Sequence, residues 1–586
     1  MRDTAPASDA HASNAQERSI AIVGAGPGGL AAAALLAAAG ARVTIYEARD
    51  RVGGRTARLT LSDNGDDFHF DLGPTFFLMP YVLEEIFNAA GQNLHEHAEL
   101  IPLDPMYRLI IGRQDQPGQS LEPWTIDATA DLQEMARRIA AIHPPDGLRF
   151  PRFIKDNRAK LAAAEPILRK PIRSPLDLVS RDGIAAARHI RPHHSVSSLL
   201  AKYFDHPATR LAVSFQSKYL GMSPHDCPSL FTILPFIEYE YGIWHPKGGC
   251  NALMNALASL CIDLGVNIKT NSPVQRIEFD TSTPKPRATG LVINGEHIPC
   301  DHAVINADVS WALKNLVPES LRANTGTRET DTKLDNRKYS CSTCMLYLGI
   351  DGEVDLPHHT IYVSENYDEN LQDIATGTNS TDDPSFYICN PSATDPTLAP
   401  PGKSALYILL PTSNLRSKDD WARDGERVRE ALYTQLARRA GLNDLKDRVR
   451  VEKFLTPDDW AGMNINHGAT FNLAHNLGQM LHKRPQHKLQ GFDGLWLVGG
   501  GTHPGSGLPV IFLSSQITSR LLCEELGLTY PGTPHERSTT QGALRSQQLI
   551  ATKGHGLNEP GLKPVTGPAH ASKAAPPTTH SPPEPS

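Results

Sequence analysis

Gly24, Gly26 and Gly29 stand at the G-x-G-x-x-G spacing, with Gly28 inside the motif, and Glu47 follows eighteen residues after Gly29. These residue types, in this order, suit the pyrophosphate and ribose of a dinucleotide. The first glycine permits a tight turn, the second lets backbone N–H groups approach a pyrophosphate, and the third lets the next helix lie close on its strand. The Glu47 carboxylate accepts both hydroxyls of an adenosine ribose and repels a 2′-phosphate. The elements that must hold these groups are legible around them. Ile20 to Val23 is a short apolar run for a strand buried on both faces, Leu30 to Ala39 is an Ala-rich helix stopped by Gly40, and Arg42 to Tyr46 is a second strand ending at Glu47. The helix N-terminus aims its free N–H groups and positive dipole end at a bound anion.

A second glycine-rich unit lies near the other end of the chain, where LWLVGGGTHPGSGLPV (Leu495 to Val510) reads as strand, turn and the start of a helix running to about Leu526. This unit, together with EARDRVGGR (Glu47 to Arg55), resembles the amine oxidase and carotenoid desaturase superfamily of flavoproteins. The resemblance implies FAD on a discontinuous Rossmann-like α/β domain, with Gly53, Gly54 and Arg55 along the pyrophosphate. It puts Gly73, in Asp71-Leu-Gly-Pro-Thr75, beside the isoalloxazine and has Val274 hold the adenine through its backbone. Gly499, Gly500 and Gly501 then admit the ribityl and phosphate region, while Gly507, Leu508, Pro509 and Val510 open a helix at the pyrimidine edge of the flavin. The dipole of that helix favours the negative charge of a reduced flavin. Arg49 is counted with the cofactor residues, although it and Arg51 also suit a solvated surface. His503, the ionisable residue of the turn, has two readings: it orients substrate or flavin, or it bonds the turn's own backbone. No catalytic acid or base is otherwise evident.

The stretch from Phe215 to Gly249 is similar to the corresponding part of bacterial phytoene desaturases and their C30 relatives. That similarity implies a desaturase of carotenoid biosynthesis, introducing conjugated double bonds into phytoene or a C30 analogue, with oxygen or a quinone reoxidising the flavin. Phe231, Phe236, Tyr239, Tyr241 and Trp244 are the expected polyene contacts; plain core packing is the other reading of such an aromatic stripe. Two further enzymatic readings are an amine oxidase and another isoprenoid oxidoreductase of the retinoid saturase or hydroxysqualene dehydroxylase type. A catalytically silent flavin-binding lipid carrier is the non-enzymatic one.

The chain has 586 residues, 40% of them hydrophobic, and a formal net charge of −7. That length calls for two or three domains, and the acidic balance gives no basis for nucleic-acid binding. No apolar run reaches the length of a membrane span, and the polar first eighteen residues do not read as a signal peptide. A cytoplasmic enzyme, peripheral on the membrane that dissolves its substrate, is expected. Arg169, Lys170 and Arg173 beside Ile167, Leu168 and Ile172 suit either a soluble lid or an anionic bilayer surface. The eight cysteines suggest reduced thiols. Cys341 and Cys344 form a lone C-x-x-C, and His193-His194 and His358-His359 lack partner spacing and point apart as sequence neighbours, so no metal site is expected.

The expected organisation is a tail (1–18), cofactor-domain segments (19–100, 245–307 and 491–528), a helical substrate and membrane-contact region (101–244), a mixed α+β substrate domain (308–490) and a second tail (529–586). Residues 366–384 read as a polar loop, and Leu291 to Ile298 as a hairpin turning at Asn294-Gly295.

Overall fold

The computed structural model describes residues 18–532 except 117–118, 190, 192, 326–328, 379–380 and 418; the expected tails fall almost wholly outside these. At the centre lies a five-stranded parallel sheet whose order is Leu495–Leu497, His302–Ile305, Ser19–Val23, Arg42–Tyr46 and Asn267–Lys269. Parallel strands buried on both faces need apolar runs, and Ile20, Ile22, Ala303, Val304 and Ile305 are all at most 1% exposed. The helix Pro27–Ala38 packs on this sheet with Ala31, Ala32, Ala33 and Ala34 fully buried. Its small side chains admit the helices Cys250–Asp263 and Leu508–Leu526, which bond its backbone directly. The Cys261 thiol donates to Leu30 O (3.3 Å), and the Ser515 hydroxyl donates to Gly28 O (2.9 Å).

A three-stranded antiparallel sheet (Val274–Asp280, Arg287–Ile293, Glu296–Pro299) contains the expected hairpin, with Asn294 and Gly295 both at positive φ. A seven-stranded mixed sheet runs Val449–Leu455, Ser342–Asp351, Lys403–Thr412, Phe386–Cys389, His359–Val363, Tyr107–Gln116 and Gln119–Ala128.

Two readings need correction. The first part of the stretch expected to be helical is a β-hairpin, Tyr107–Gln116 with Gln119–Ala128, whose first strand joins His359–Val363 in parallel. Leu109 and Ile111 alternate into the core while Arg108 pairs across the strands with Asp127 at 2.7 Å, a period-two pattern hidden by the neighbouring charges. Helices do follow, among them Leu132–Ile142, Pro144–Leu168 and Ile233–Tyr241. The expected polar loop at 366–384 contains the helix Tyr367–Thr376, capped by the Asn366 side chain and closed by Gly377 in the left-handed region.

Gly29 measures how closely the first helix lies on its strand, because a Cβ there would sit 2.3 Å from Gly24 O. Gly29→Ala should lower the protein's unfolding free energy by about 1–3 kcal/mol or more. Gly478→Ala, where a Cβ meets nothing within 4 Å, should leave it nearly unchanged; thermal denaturation of the two variants checks the contrast.

Candidate active site

The first strand ends in a turn that only glycine fits. Gly24 has φ +99° and donates its N–H to Tyr46 O at 2.8 Å, and a Cβ there would meet Asn306 O at 2.5 Å. Gly26 caps the helix without a side-chain partner for the first-turn amides, leaving them to an anion. Glu47, 7% exposed, accepts the Ala25 N–H (2.7 Å) on one carboxylate oxygen and the Arg49 N–H (3.0 Å) on the other. Those two bonds fix the carboxylate, and each oxygen keeps a lone pair for a ribose hydroxyl.

The carboxy-terminal turn arrives at the same place. A Cβ on Gly28 would lie 3.2 Å from the Gly499 Cα, and one on Gly54 would lie 3.3 Å from the Gly26 Cα. Three separate backbone segments therefore converge on one cavity of about 610 Å³. The helix Leu508–Leu526 starts there behind Gly507 (φ +110°), without a side-chain cap. Pro509 has no N–H to spend, so the free first-turn donors belong to its neighbours.

Of the expected cofactor residues, Gly24, Gly26, Gly28, Glu47, Arg49, Gly54, Arg55, Gly73, Val274, Gly499, Gly500, Gly507, Leu508, Pro509 and Val510 line this cavity. Gly29, Gly53 and Gly501 stand behind it. Gly53 donates its N–H to Ala25 O (2.8 Å), and Gly501 is pressed on Val309, whose Cγ1 lies 2.5 Å from where a Cβ would be. Two residues outside the motifs brace the turns. Asn306, at the end of the strand beside the first one, donates to Gly24 O at 3.0 Å and lies against Gly26, Gly28 and Gly29. Arg484, fully buried, donates to Thr502 O (3.1 Å) and Gly500 O (2.8 Å), and burial lowers its pKa to about 9. Only the position of Asn306 after an apolar strand hinted at it; nothing local marked Arg484.

Beyond the turns the cavity becomes an apolar arm walled by Leu161, Leu168, Leu230, Ile233, Leu234 and Ile237. Of the five aromatic residues expected to touch substrate, Phe231 is on its wall. Phe236, Tyr239, Tyr241 and Trp244 are off it and pack the core. The Trp244 indole donates to Tyr241 O (2.9 Å), Tyr239 bonds the Tyr107 hydroxyl (3.3 Å), and the Tyr241 ring lies 5.4 Å from Tyr81. The helix Ile233–Tyr241 is buried on nearly every side, Glu238 and Glu240 included, so its sequence could not say which face meets the cavity.

His503 follows neither of its two readings. It is 1% exposed and off the cavity wall, which Pro504 takes instead, and its Nε2 bonds Ile167 O of a distant helix at 3.3 Å. Burial lowers its pKa to about 4, so the ring is neutral. Of the basic cluster that suits either a soluble lid or a bilayer surface, Arg169 turns inward while Lys170 and Arg173 stay exposed. Arg169 is 7% exposed and pairs with Glu85 (2.8 Å) and Glu165 (2.9 Å), Ile172 is buried, and Leu168 lines the cavity. His358 and His359 do not diverge: their rings are 4.4 Å apart, and with Cys389 they bring side-chain N and S atoms within 4.8 Å of one another.

Residues 27–522 match the family model of flavin containing amine oxidoreductases. The chain belongs to this family. Its cofactor is FAD, and it is an oxidoreductase. It is 38% identical over 523 residues to a 4,4′-diapophytoene desaturase (4,4′-diapolycopene-forming) of Methylomonas sp, covering 89% of this chain and 98% of that one. An all-trans-zeta-carotene desaturase of Myxococcus xanthus is 35% identical over 88% of this chain and 96% of its own length. Among solved structures, an oxidoreductase from Methanosarcina mazei superposes with a TM-score of 0.57 at 15% identity (85% of this chain, 98% of that one), and a putrescine oxidase triple mutant with 0.55 at 14% (87% and 99%). At that identity the likeness is one of fold.

The lining residues fit an FAD: a glycine cradle that any Cβ would fill, a fixed carboxylate for the ribose and two uncapped helix starts. Gly28→Val should yield folded protein with little bound FAD, because its side chain enters the gap beside Gly499 and Asn306 Oδ1. Glu47→Ala should weaken FAD binding by about 10- to 100-fold, the worth of hydrogen bonds to a charged group. Flavin absorbance per protein and titration of the apo-protein check both.

Proposed function

We propose that the protein is an FAD-dependent desaturase of a long isoprenoid, phytoene or its C30 analogue, acting in carotenoid biosynthesis. The observation that carries this reading is the continuity of the apolar arm with the two glycine-rich turns, in a chain whose relatives are named as diapophytoene and zeta-carotene desaturases. When bound, FAD supplies a two-electron acceptor for a hydride. The chain supplies the rest. The aliphatic walls take a polyene out of water and hold it lengthwise. The 71–75 loop is held beside the cavity by the Tyr407 hydroxyl, which donates to Gly73 O at 2.8 Å, and by the Tyr347 hydroxyl, which donates to Leu72 O at 2.6 Å. Gly73 cannot carry a side chain there, since a Cβ would lie 2.6 Å from Arg55 O. The Arg55 guanidinium donates to Thr470 O (2.7 Å), which ties the amino-terminal turn to the far wall.

With a lipid-soluble substrate and oxygen or a quinone as electron acceptor, the proposed enzyme is cytoplasmic and peripheral on the membrane that dissolves its substrate. Among the described residues no helix is long and apolar enough to cross a membrane. Leu176, Val179 and Ile184 are 77%, 75% and 54% exposed within one short stretch beside Lys170 and Arg181, a composition that suits shallow insertion under anionic headgroups.

Expression in a host that accumulates phytoene, and separately in one that accumulates dehydrosqualene, should give new visible absorption bands from one of the two; colourless extracts from both would refute the assignment. Purified protein should co-sediment with vesicles containing anionic lipid, and the Leu176→Asp, Val179→Asp double variant should remain largely in the supernatant while keeping its FAD.

A further inference from the structure

Desaturation removes a hydride from one carbon and a proton from its neighbour, so the reaction proposed above needs a proton acceptor on the cavity wall. Several polar groups there are already committed. Glu165 holds Arg169, and the His475 Nε2 accepts the Ser506 N–H at 3.2 Å. Lys218, its pKa lowered to about 8 by burial, is mostly protonated at neutral pH.

One row of groups leads from the cavity wall to buried imidazoles. Strands His359–Val363 and Phe386–Cys389 pair with Ile361 opposite Tyr387 and His359 opposite Cys389, so His359 and Tyr387 are diagonal neighbours on one face of the sheet. Tyr387, on the cavity wall, carries the hydroxyl that begins this row. That hydroxyl lies 2.8 Å from Thr75 Oγ1, on the loop that carries Gly73, and 2.6 Å from His359 Nδ1 behind it. Phe76, also on the wall, stacks on the His359 ring at 4.1 Å and 16°, fixing the imidazole plane. The row continues inward. The His358 ring is 4.4 Å from His359 and 4.6 Å from His245, and His245 Nε2 is 3.2 Å from the Asp395 carboxylate. His358 and His359 each bury an Nε2 without a hydrogen-bond partner among the described residues.

We propose that Tyr387 and His359 form the proton outlet of the site: the Tyr387 oxygen takes the substrate proton while its own passes to His359 Nδ1. This inference rests on the desaturase reading. The hydride leaves the first carbon with its electron pair for the flavin, the neighbouring C–H bond breaks, its pair becomes the new π bond, and the proton ends on the imidazole. In the proposed arrangement Thr75 Oγ1 donates to the Tyr387 oxygen and the phenolic O–H donates to His359 Nδ1. Burial holds the phenol protonated and the imidazole neutral at rest, so the wall presents no charge to a hydrocarbon. A C–H bond beside a carbon that has lost hydride is acidic enough for a weak base, and Asp395 stands at the far end of the row to favour the positive charge. Tyr387 is the catalytic residue here; His359 acts through it.

The test uses full-length FAD-loaded protein, mixed anaerobically with whichever of phytoene and dehydrosqualene the wild type converts. Tyr387→Phe keeps the ring and removes the hydroxyl; His359→Asn keeps an acceptor near Nδ1 and removes its basicity. Each should slow flavin bleaching by about 100-fold or more, within the range of general acid–base catalysis. FAD content and polyene affinity, read by quenching of protein fluorescence, should stay within about twofold of wild type. Wild-type bleaching should slow in D2O, and that slowing should disappear in Tyr387→Phe. Bleaching within about threefold of wild type in both variants overturns the proposal, as does a loss matched by lost FAD or polyene binding, which would mark the pair as packing. A wild type that bleaches with neither polyene refutes the desaturase reading instead.

Discussion

The molecule depends on bare backbone meeting bare backbone. Between Gly28 and Gly499 there is no room for a Cβ, and Asn306 fills what space is left by bonding one turn and touching the other. Everything the cavity can do follows from that contact: the first helix, the last helix and the Glu47 carboxylate are aimed at one volume because three turns are held within van der Waals distance. Their small residues give up side-chain packing at the point where a protein usually has most of it. The buried alanines of the first helix, and the helices against which it packs, make up that loss elsewhere.

What was legible in the sequence was whatever a single turn dictates. Gly24, Gly26 and Glu47 could be read because each answers a local steric or electrostatic demand, and the hairpin at Asn294-Gly295 because two positive φ angles admit few residue types. What could not be read were choices made between distant segments. The helix carrying Phe236 and Tyr239 is buried on nearly every side, Glu238 and Glu240 included, so its orientation is set by neighbours that its own periodicity does not encode. Tyr107–Gln116 is a strand because His359–Val363 offers it an edge, and the charges along it gave a contrary local signal. Arg484 and Asn306 owe their roles to closeness with turns far away in the chain.

The cavity's two ends are held by different physics. At the nucleotide end, polar backbone groups are left without protein partners and are arranged for a charged ligand. Along the arm the wall is mostly apolar, and the Arg169 guanidinium on it is paired with Glu165 and Glu85. One ligand is thus gripped by donors and the other merely excluded from water, which suits a cofactor that stays and a hydrocarbon that must leave.

The order of strands across the central sheet carries a consequence for how the protein is made. Its middle strand is the first to be synthesised, while the edge strand Leu495–Leu497 and the helix that caps the cofactor cleft come from the last part of the described chain. During translation the cleft therefore stays open on one side until the segment through Leu526 has left the ribosome. Flavin capture is for this reason a late event, and a chain that stops short of Leu526 carries most of the greasy interior with nothing to close it.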